Sequence, residues 1–222
     1  MFDVDGTLTP SRGSIDLEFK EFFNSFCLRH NVYLVTGSDK PKTLEQIGKD
    51  TYNLCKRVFN CNGNDVWEGD THVRTTSWIL PEAVHEWLSV QLTTSCFPLR
   101  TGLHFEHRPG MCNFSIVGRN ATKDERALYV KWDNEHNERK SIATTCNYMF
   151  PELEAKVGGE TGLDISKRGN DKGQIASEVR PFTYFGDAIY DGGNDYPIAM
   201  QADTYHVVSS WKDTYRILKE LQ

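Results

Sequence analysis

Asp3 and Asp5 stand two residues apart near the start of the chain and run directly into Gly6-Thr7-Leu8-Thr9. On one strand, side chains two apart point to the same face. Two carboxylates brought together repel each other unless a cation neutralises them. Further along, the apolar run 32–35 ends at Thr36-Gly37-Ser38-Asp39, and the run 182–185 ends at Gly186-Asp187. Ligands of an open parallel sheet bind outside the carboxyl ends of its strands. Asp3, Asp5, Thr36 and Asp187 would be delivered there together. Such an oxygen-rich set with open positions suits Mg²⁺, which takes carboxylates, waters and substrate phosphate.

These groups meet only if strands and helices alternate around them. The first five residues read as a short strand ended by a turn at Gly6. Ser14 is a candidate helix cap, with Glu18 in the first turn and Phe19, Phe22, Phe23 and Phe26 along one helical face. Residues 32–35 read as a buried parallel strand. Pro41 suits the first turn of a helix carrying Leu44 and Ile47. Val58-Phe59 leads into the turn cluster Asn60-Cys61-Asn62-Gly63-Asn64. Residues 205–208 read as a further strand, and the closing helix carries Tyr215, Ile217, Leu218 and Leu221. Both ends of the chain thus alternate strand and helix, which predicts a doubly wound α/β sheet.

The middle differs. Residues 80–92 read as a helix with Val84, Trp87 and Leu88 inward. Residues 105–108 and 111–117 read as a strand pair across Pro109-Gly110, and Thr122 with Glu125 forms a capping box for a helix to about residue 137. This block reads as an α+β module inserted over residues 79–167, leaving 1–78 and 168–222 for the core.

The chain has 222 residues, 38% of them hydrophobic, enough for a sizeable core. Its 25 Lys+Arg against 31 Asp+Glu leave a net charge of −6, which argues against a nucleic-acid binder with a basic stripe. No apolar run approaches the ~18–20 residues that span a bilayer. Asp3 and Asp5 occupy the place where a secretory signal would carry positive charge. The six cysteines are irregularly spaced with no CxxC pair, and read as reduced thiols of a cytoplasmic protein. His104 and His107, three apart on a strand, face opposite ways and make no zinc pair.

Asp3-Val4-Asp5-Gly6-Thr7-Leu8-Thr9 resembles the first motif of the haloacid dehalogenase superfamily. Thr36 after its apolar run resembles the second motif, and Lys172 in Gly169-Asn170-Asp171-Lys172-Gly173 the third. Gly186-Asp187 with Asn194-Asp195 resembles the fourth. Within that superfamily the chain is most similar to the eukaryotic-type phosphomannomutases. Phe185-Gly186-Asp187 followed by Gly192-Gly193-Asn194-Asp195 resembles that family's fourth motif. Phe105-Glu106-His107-Arg108, Gly110-Met111, Asn113, Gly118-Arg119, Asp124-Glu125-Arg126 and Val157-Gly158-Gly159 resemble its cap signature.

The resemblance implies a core with an inserted cap, and a Mg²⁺-dependent mutase that interconverts mannose-6-phosphate and mannose-1-phosphate, feeding GDP-mannose synthesis. The alternative is a sugar-phosphate phosphatase of the same superfamily. Asp3 would be the nucleophile that carries an aspartyl-phosphate, Asp5 the acid and base, and Lys172 the ammonium that steadies developing charge. Asp3, the backbone carbonyl of Asp5, and Asp187 would ligate Mg²⁺. Thr36, or alternatively Ser38, would hydrogen-bond the transferring phosphoryl.

A mutase must also grip the phosphate that is not reacting and let a hexose-1,6-bisphosphate, its activator, turn end for end. Arg12, Arg108, Arg119 and Arg126 stand at positions that match this clamp, and the guanidinium fork suits phosphate. Gly162 and Asp164 match positions that touch sugar hydroxyls. The cap resembles a dimerisation surface, which implies a homodimer. Members also hold a second, structural cation after the fourth motif, where Gln201 stands in place of an expected aspartate.

Overall fold

Asp16, not Ser14, opens the first helix. Its carboxylate accepts from the backbone amides of Glu18 and Phe19 at 3.0 and 3.2 Å. An anion at this end is favoured by the helix dipole, and Ile15 is meanwhile tied by its amide to the carbonyl of Gln46 at 2.8 Å. Helix α1 (Leu17–Cys27) then buries Phe19, Phe23 and Phe26 on one side.

The computed structural model describes residues 1–11 and 13–221. They form two units, Met1–Thr76 with Asn170–Gln222, and Ser77–Gly169. The first unit continues with β1 (Tyr33–Val35), α2 (Lys40–Leu54), β2 (Arg57–Asn60), β3 (Asp65–Glu68) and β4 (Thr71–Thr75). The second holds α3 (Glu82–Thr94), β5 (Phe105–Arg108), β6 (Met111–Phe114), α4 (Lys123–His136), α5 (Glu138–Met149), β7 (Leu153–Gly158) and β8 (Gly162–Lys167). The chain returns to the first unit with β9 (Thr183–Gly186), α6 (Tyr196–Ala199), β10 (Thr204–Val207) and α7 (Trp211–Glu220).

In the first unit β1 pairs in parallel with β2, and β9 with β10. Phe2 joins the two pairs, bridging in parallel to Leu34 and to Phe185. Its amide bonds the carbonyl of Tyr33 and its carbonyl the amide of Val35, both at 2.9 Å, while the amide of Asp3 bonds Phe185 on the other side. The amino-terminal segment is therefore the middle of the sheet, and it leaves the ladder at Asp3. Successive strand residues point to opposite faces. Phe2, Leu34, Val58 and Phe185 pack with α1, α2 and α7, whereas Val35, Phe59 and Tyr184 pack with the 3₁₀ turn at residues 172–178 and α6. This is a doubly wound α/β sheet, extended by the antiparallel strands β3 and β4.

The second unit is an antiparallel sheet in the order β5-β6-β8-β7. β6 ends at Phe114, three residues before the sequence placed its end. Cys112, Ile165 and Ala155 share one register row, and Phe114 and Leu163 another; with helix residues Val84, Leu88 and Tyr129 they form one core. The intervening row carries Glu106, Asn113, Asp164 and Lys156 on the opposite, polar face. Thr122 and Glu125 make the expected reciprocal capping box at the start of α4.

Candidate active site

Where the amino-terminal segment leaves the sheet, two carboxylates hold one ammonium, with a third carboxylate close to them. Lys172, on the first residue of the 3₁₀ turn, places Nζ 2.5 Å from Asp3 Oδ1 and 2.7 Å from Asp195 Oδ1. All three residues are buried. Asp195 precedes α6, and its other oxygen accepts from the amide of Ala188 at 3.0 Å. Tyr184, buried on β9, donates its hydroxyl to Asp195 Oδ1 at 2.6 Å. A Cβ at Gly186 would lie 2.6 Å from Asp195 Oδ2, so only glycine lets that carboxylate come so close.

Burial works against every charge here, and the neighbours decide the outcome. Asp195 ionises more readily than an ordinary aspartate, because Lys172 and Tyr184 outweigh its burial. Lys172 is held above the usual lysine range by its two carboxylates in spite of burial. Asp3 is pushed up to about 7, since burial, with the Asp195 charge added, exceeds what Lys172 returns.

Asp187 follows β9. One of its oxygens lies within 4.8 Å of one oxygen of Asp3 and one of Asp195, and those two lie within 4.8 Å of each other. Burial, then the charge of Asp195, raises its pKa. Gly6 makes room for it: φ is +76°, and a Cβ there would stand 2.3 Å from Asp187 Oδ2. Three carboxylates against one ammonium leave excess negative charge, and an all-oxygen set suits a hard divalent cation. The residues fit such an ion.

Asp5 takes a different position from the one its spacing suggested. The amino-terminal segment, which joins the sheet through bridges at Phe2, leaves it at Asp3, and the amides of Thr7, Leu8 and Thr9 turn back onto the carbonyl of Val4. Asp3 and Asp5 therefore do not share a strand face. The carboxylate trio consists of Asp3, Asp187 and Asp195, while the Asp5 side chain meets Gln46 Nε2 at 2.9 Å and Ser38 Oγ at 3.5 Å. Thr36, buried beyond β1, accepts the amide of Ser38 on its Oγ1 at 3.1 Å.

On the polar face of the second unit, Glu106 Oε2 joins Arg108 at 2.6 Å and Arg119 at 2.9 Å. Arg119 also reaches Asn113 Oδ1 at 3.3 Å, and Asn113 Nδ2 donates to Asp164 Oδ1 at 2.6 Å. Gly162 admits this arrangement, for a Cβ there would lie 2.5 Å from Asn113 Nδ2. Arg126 stands apart from that cluster and pairs with Glu160 at 3.1 Å. Arg12 lies outside the described residues. Gln201 puts its amide nitrogen 3.1 Å from the carbonyl of Gly173 and 3.0 Å from that of Pro197, pinning the lysine turn to α6. The sequence motifs contain Asp195, in Gly192-Gly193-Asn194-Asp195, and Glu106, in Phe105-Glu106-His107-Arg108, without assigning either a role; no local signal gave Tyr184 or Gln46 one.

Residues 19–222 match the model of a family described as eukaryotic phosphomannomutase. A phosphomannomutase of Saccharomyces cerevisiae is 33% identical over 235 residues, covering 100% of this chain and 92% of that protein. One from Galdieria sulphuraria is 34% identical over 237 residues, covering 100% and 93%. A haloacid dehalogenase-like hydrolase from Bacteroides thetaiotaomicron has the same fold, with a TM-score of 0.59 at 13% identity over 100% of this chain and 98% of that one.

Proposed function

The chain belongs to the eukaryotic phosphomannomutase family, and on that footing we propose how its residues interconvert mannose-6-phosphate and mannose-1-phosphate. Asp3 attacks phosphorus, and the bond from phosphorus to the sugar oxygen breaks. That oxygen takes a proton from Asp5, leaving an aspartyl-phosphate. In the return half, Asp5 takes the proton of the free hydroxyl of a hexose monophosphate, the Asp3–phosphorus bond breaks as the phosphoryl passes to that oxygen, and the hexose-1,6-bisphosphate so formed turns end for end to give its other phosphoryl to Asp3. The observation that carries this reading is the buried Lys172 ammonium against Asp3. It orients the nucleophile and faces the charge that develops during transfer. Thr36 or Ser38 would hydrogen-bond the phosphoryl.

Mg²⁺ is the cation proposed for the acidic cluster, where it offsets repulsion between carboxylate and phosphate. Asp3, Asp187 and the backbone carbonyl of Asp5 would hold it, with Asp195 beside them. Arg108, Arg119, Arg126 and Arg12 would grip the phosphate that is not reacting, with Asp164 and the backbone at Gly162 near the sugar hydroxyls. The ion pairs to Glu106 and Glu160 are partly exposed and worth about 0–1 kcal/mol each, so phosphate can displace them. A homodimer through the second unit and a cytoplasmic site, consistent with six irregularly spaced cysteines and no CxxC pair, complete the reading. Among the described residues no helix is long and apolar enough to cross a membrane.

The test is isomerisation of mannose-1-phosphate with glucose-1,6-bisphosphate as activator, with and without Mg²⁺. Metal-dependent formation of mannose-6-phosphate is expected, and Arg119→Ala should lose nearly all of it. Rapid release of free phosphate without isomerisation would replace the mutase by a phosphatase. Light scattering that gives a single-chain mass at micromolar concentration would remove the dimer.

A further inference from the structure

Gln46 is 1% exposed, yet its side chain is spent on the edge of the site. Nε2 donates to Asp5 Oδ1 at 2.9 Å and to Thr9 Oγ1 at 3.2 Å. The Thr9 hydroxyl donates in turn to the carbonyl of Val4 at 3.3 Å, so towards Gln46 it can only accept. Both amide hydrogens are thereby used, and the amide cannot turn its oxygen to Asp5 without losing both bonds. Oε1 finds no donor among the described residues.

The helix behind Gln46 is pinned on both sides. One turn earlier, the buried Thr43 hydroxyl bonds Asn60 Oδ1 at 2.9 Å, and Asn60 Nδ2 bonds the Tyr52 hydroxyl at 3.0 Å. The carbonyl of Gln46 itself receives the amide of Ile15. Gln46 is thus a fixed donor, and Asp5 sits on a turn that has already left the sheet.

We infer that Gln46 is a positioning residue: its amide holds Oδ1 of Asp5 and so fixes the plane of the carboxylate, presenting Oδ2, beside the Ser38 hydroxyl at 3.5 Å, for proton transfer to the sugar oxygen. This rests on the role given to Asp5 above. When the phosphorus–sugar oxygen bond breaks, the electron pair goes to the sugar oxygen, which takes the Asp5 proton. The carboxylate left behind is received by the Gln46 N–H. In the return half the same oxygen of Asp5 takes the proton back from the incoming hydroxyl.

A residue that acts through the acid matters only when the leaving group needs a proton. Single-turnover phosphoryl transfer, with enzyme in excess and Mg²⁺ present, is measured from two donors. Transfer from glucose-1,6-bisphosphate expels a sugar alkoxide and needs the acid, whereas transfer from p-nitrophenyl phosphate expels a stable phenolate and does not. Gln46→Met keeps the length and removes the donor. It should slow transfer from the bisphosphate by about 10- to 100-fold and leave nitrophenolate release within about threefold of wild type. Thr9→Val, which frees the amide to turn, should show a smaller loss with the same selectivity. Equal losses with both donors, or none with either, would overturn the inference. So would a wild type that uses the bisphosphate but not the nitrophenyl ester. A wild type that transfers from neither donor would bring down the reading of the site itself.

Discussion

Lys172 carries one positive charge between two buried carboxylates, so its removal is expected to be costly. Lys172→Met leaves Asp3 and Asp195 facing each other without compensation. Taking one partner from a buried ion pair costs about 3–5 kcal/mol. Denaturant unfolding of Lys172→Met at neutral pH should show a loss of that size, and Lys172→Met with Asp195→Asn should recover a good part of it. An equal loss in both variants would mean that the ammonium is not what balances these acids. Asp3→Asn, in contrast, should fold and yield no acyl-phosphate adduct by mass spectrometry during turnover. Asp3 and Asp187 were legible in the sequence because each stands at the end of a recognisable strand, and Lys172 because the segment 169–173 resembles a family motif. Tyr184 and Gln46 were not: a tyrosine on an apolar strand and a glutamine on a helix look like packing. Their partners, Asp195 and Asp5, lie 11 and 41 residues away, and no local pattern records such contacts.

At the level of elements, the turn after Asp3 is the most demanding. Gly6 combines a left-handed φ of +76° with the 2.3 Å approach of Asp187. Both constraints oppose a side chain. Gly6→Ala should push Asp187 away from Asp3 and raise the Mg²⁺ concentration for half-maximal activity by at least about tenfold, while isomerisation at saturating metal falls less. An unchanged metal requirement would show that Asp187 has no part in holding the ion. The capping box at α4 offers a cleaner measure. Thr122→Ala removes the side-chain acceptor for the Glu125 amide, which should cost about 1 kcal/mol and lower the melting midpoint by about 2–4 °C. That box was visible because its two residues lie three apart. The Phe19, Phe23 and Phe26 face, the Pro41 helix and the strand ending at Gly186 were visible for similar local reasons. The β3–β4 hairpin was not, because Thr71–Thr75 is exposed at every position, and a single valine among polar residues gives no alternation to read. Asp5 misled for a related reason: a spacing of two fixes a shared face only while the chain stays in a strand.

For the whole molecule, the acidic cluster couples folding to both protons and metal. Asp3 is pushed up to about 7 by its burial, Lys172 only partly offsetting this, from about 4 in an unfolded chain. An acid raised in this way binds more protons folded than unfolded. Its contribution to stability is full below about pH 4 and is lost as pH rises through about 7. Asp187 is raised as well, whereas Asp195 is lowered, and its share is lost only as pH falls below the carboxylate range. A divalent cation binds the ionised acids and displaces the protons, so its stabilising effect must grow over the same interval in which Asp3 loses its own. Asp3→Asn removes the titrating group and leaves all others in place. The wild-type melting midpoint minus that of Asp3→Asn therefore reports Asp3 together with its coupling to Lys172 and Asp195. In chelator this difference should fall between about pH 5 and pH 7.5. With millimolar Mg²⁺ the fall should vanish or reverse, because the ion takes over the charge that burial penalises. A difference that stays flat in chelator would mean that Asp3 keeps an ordinary carboxylate in the folded protein, with Lys172 compensating its burial in full.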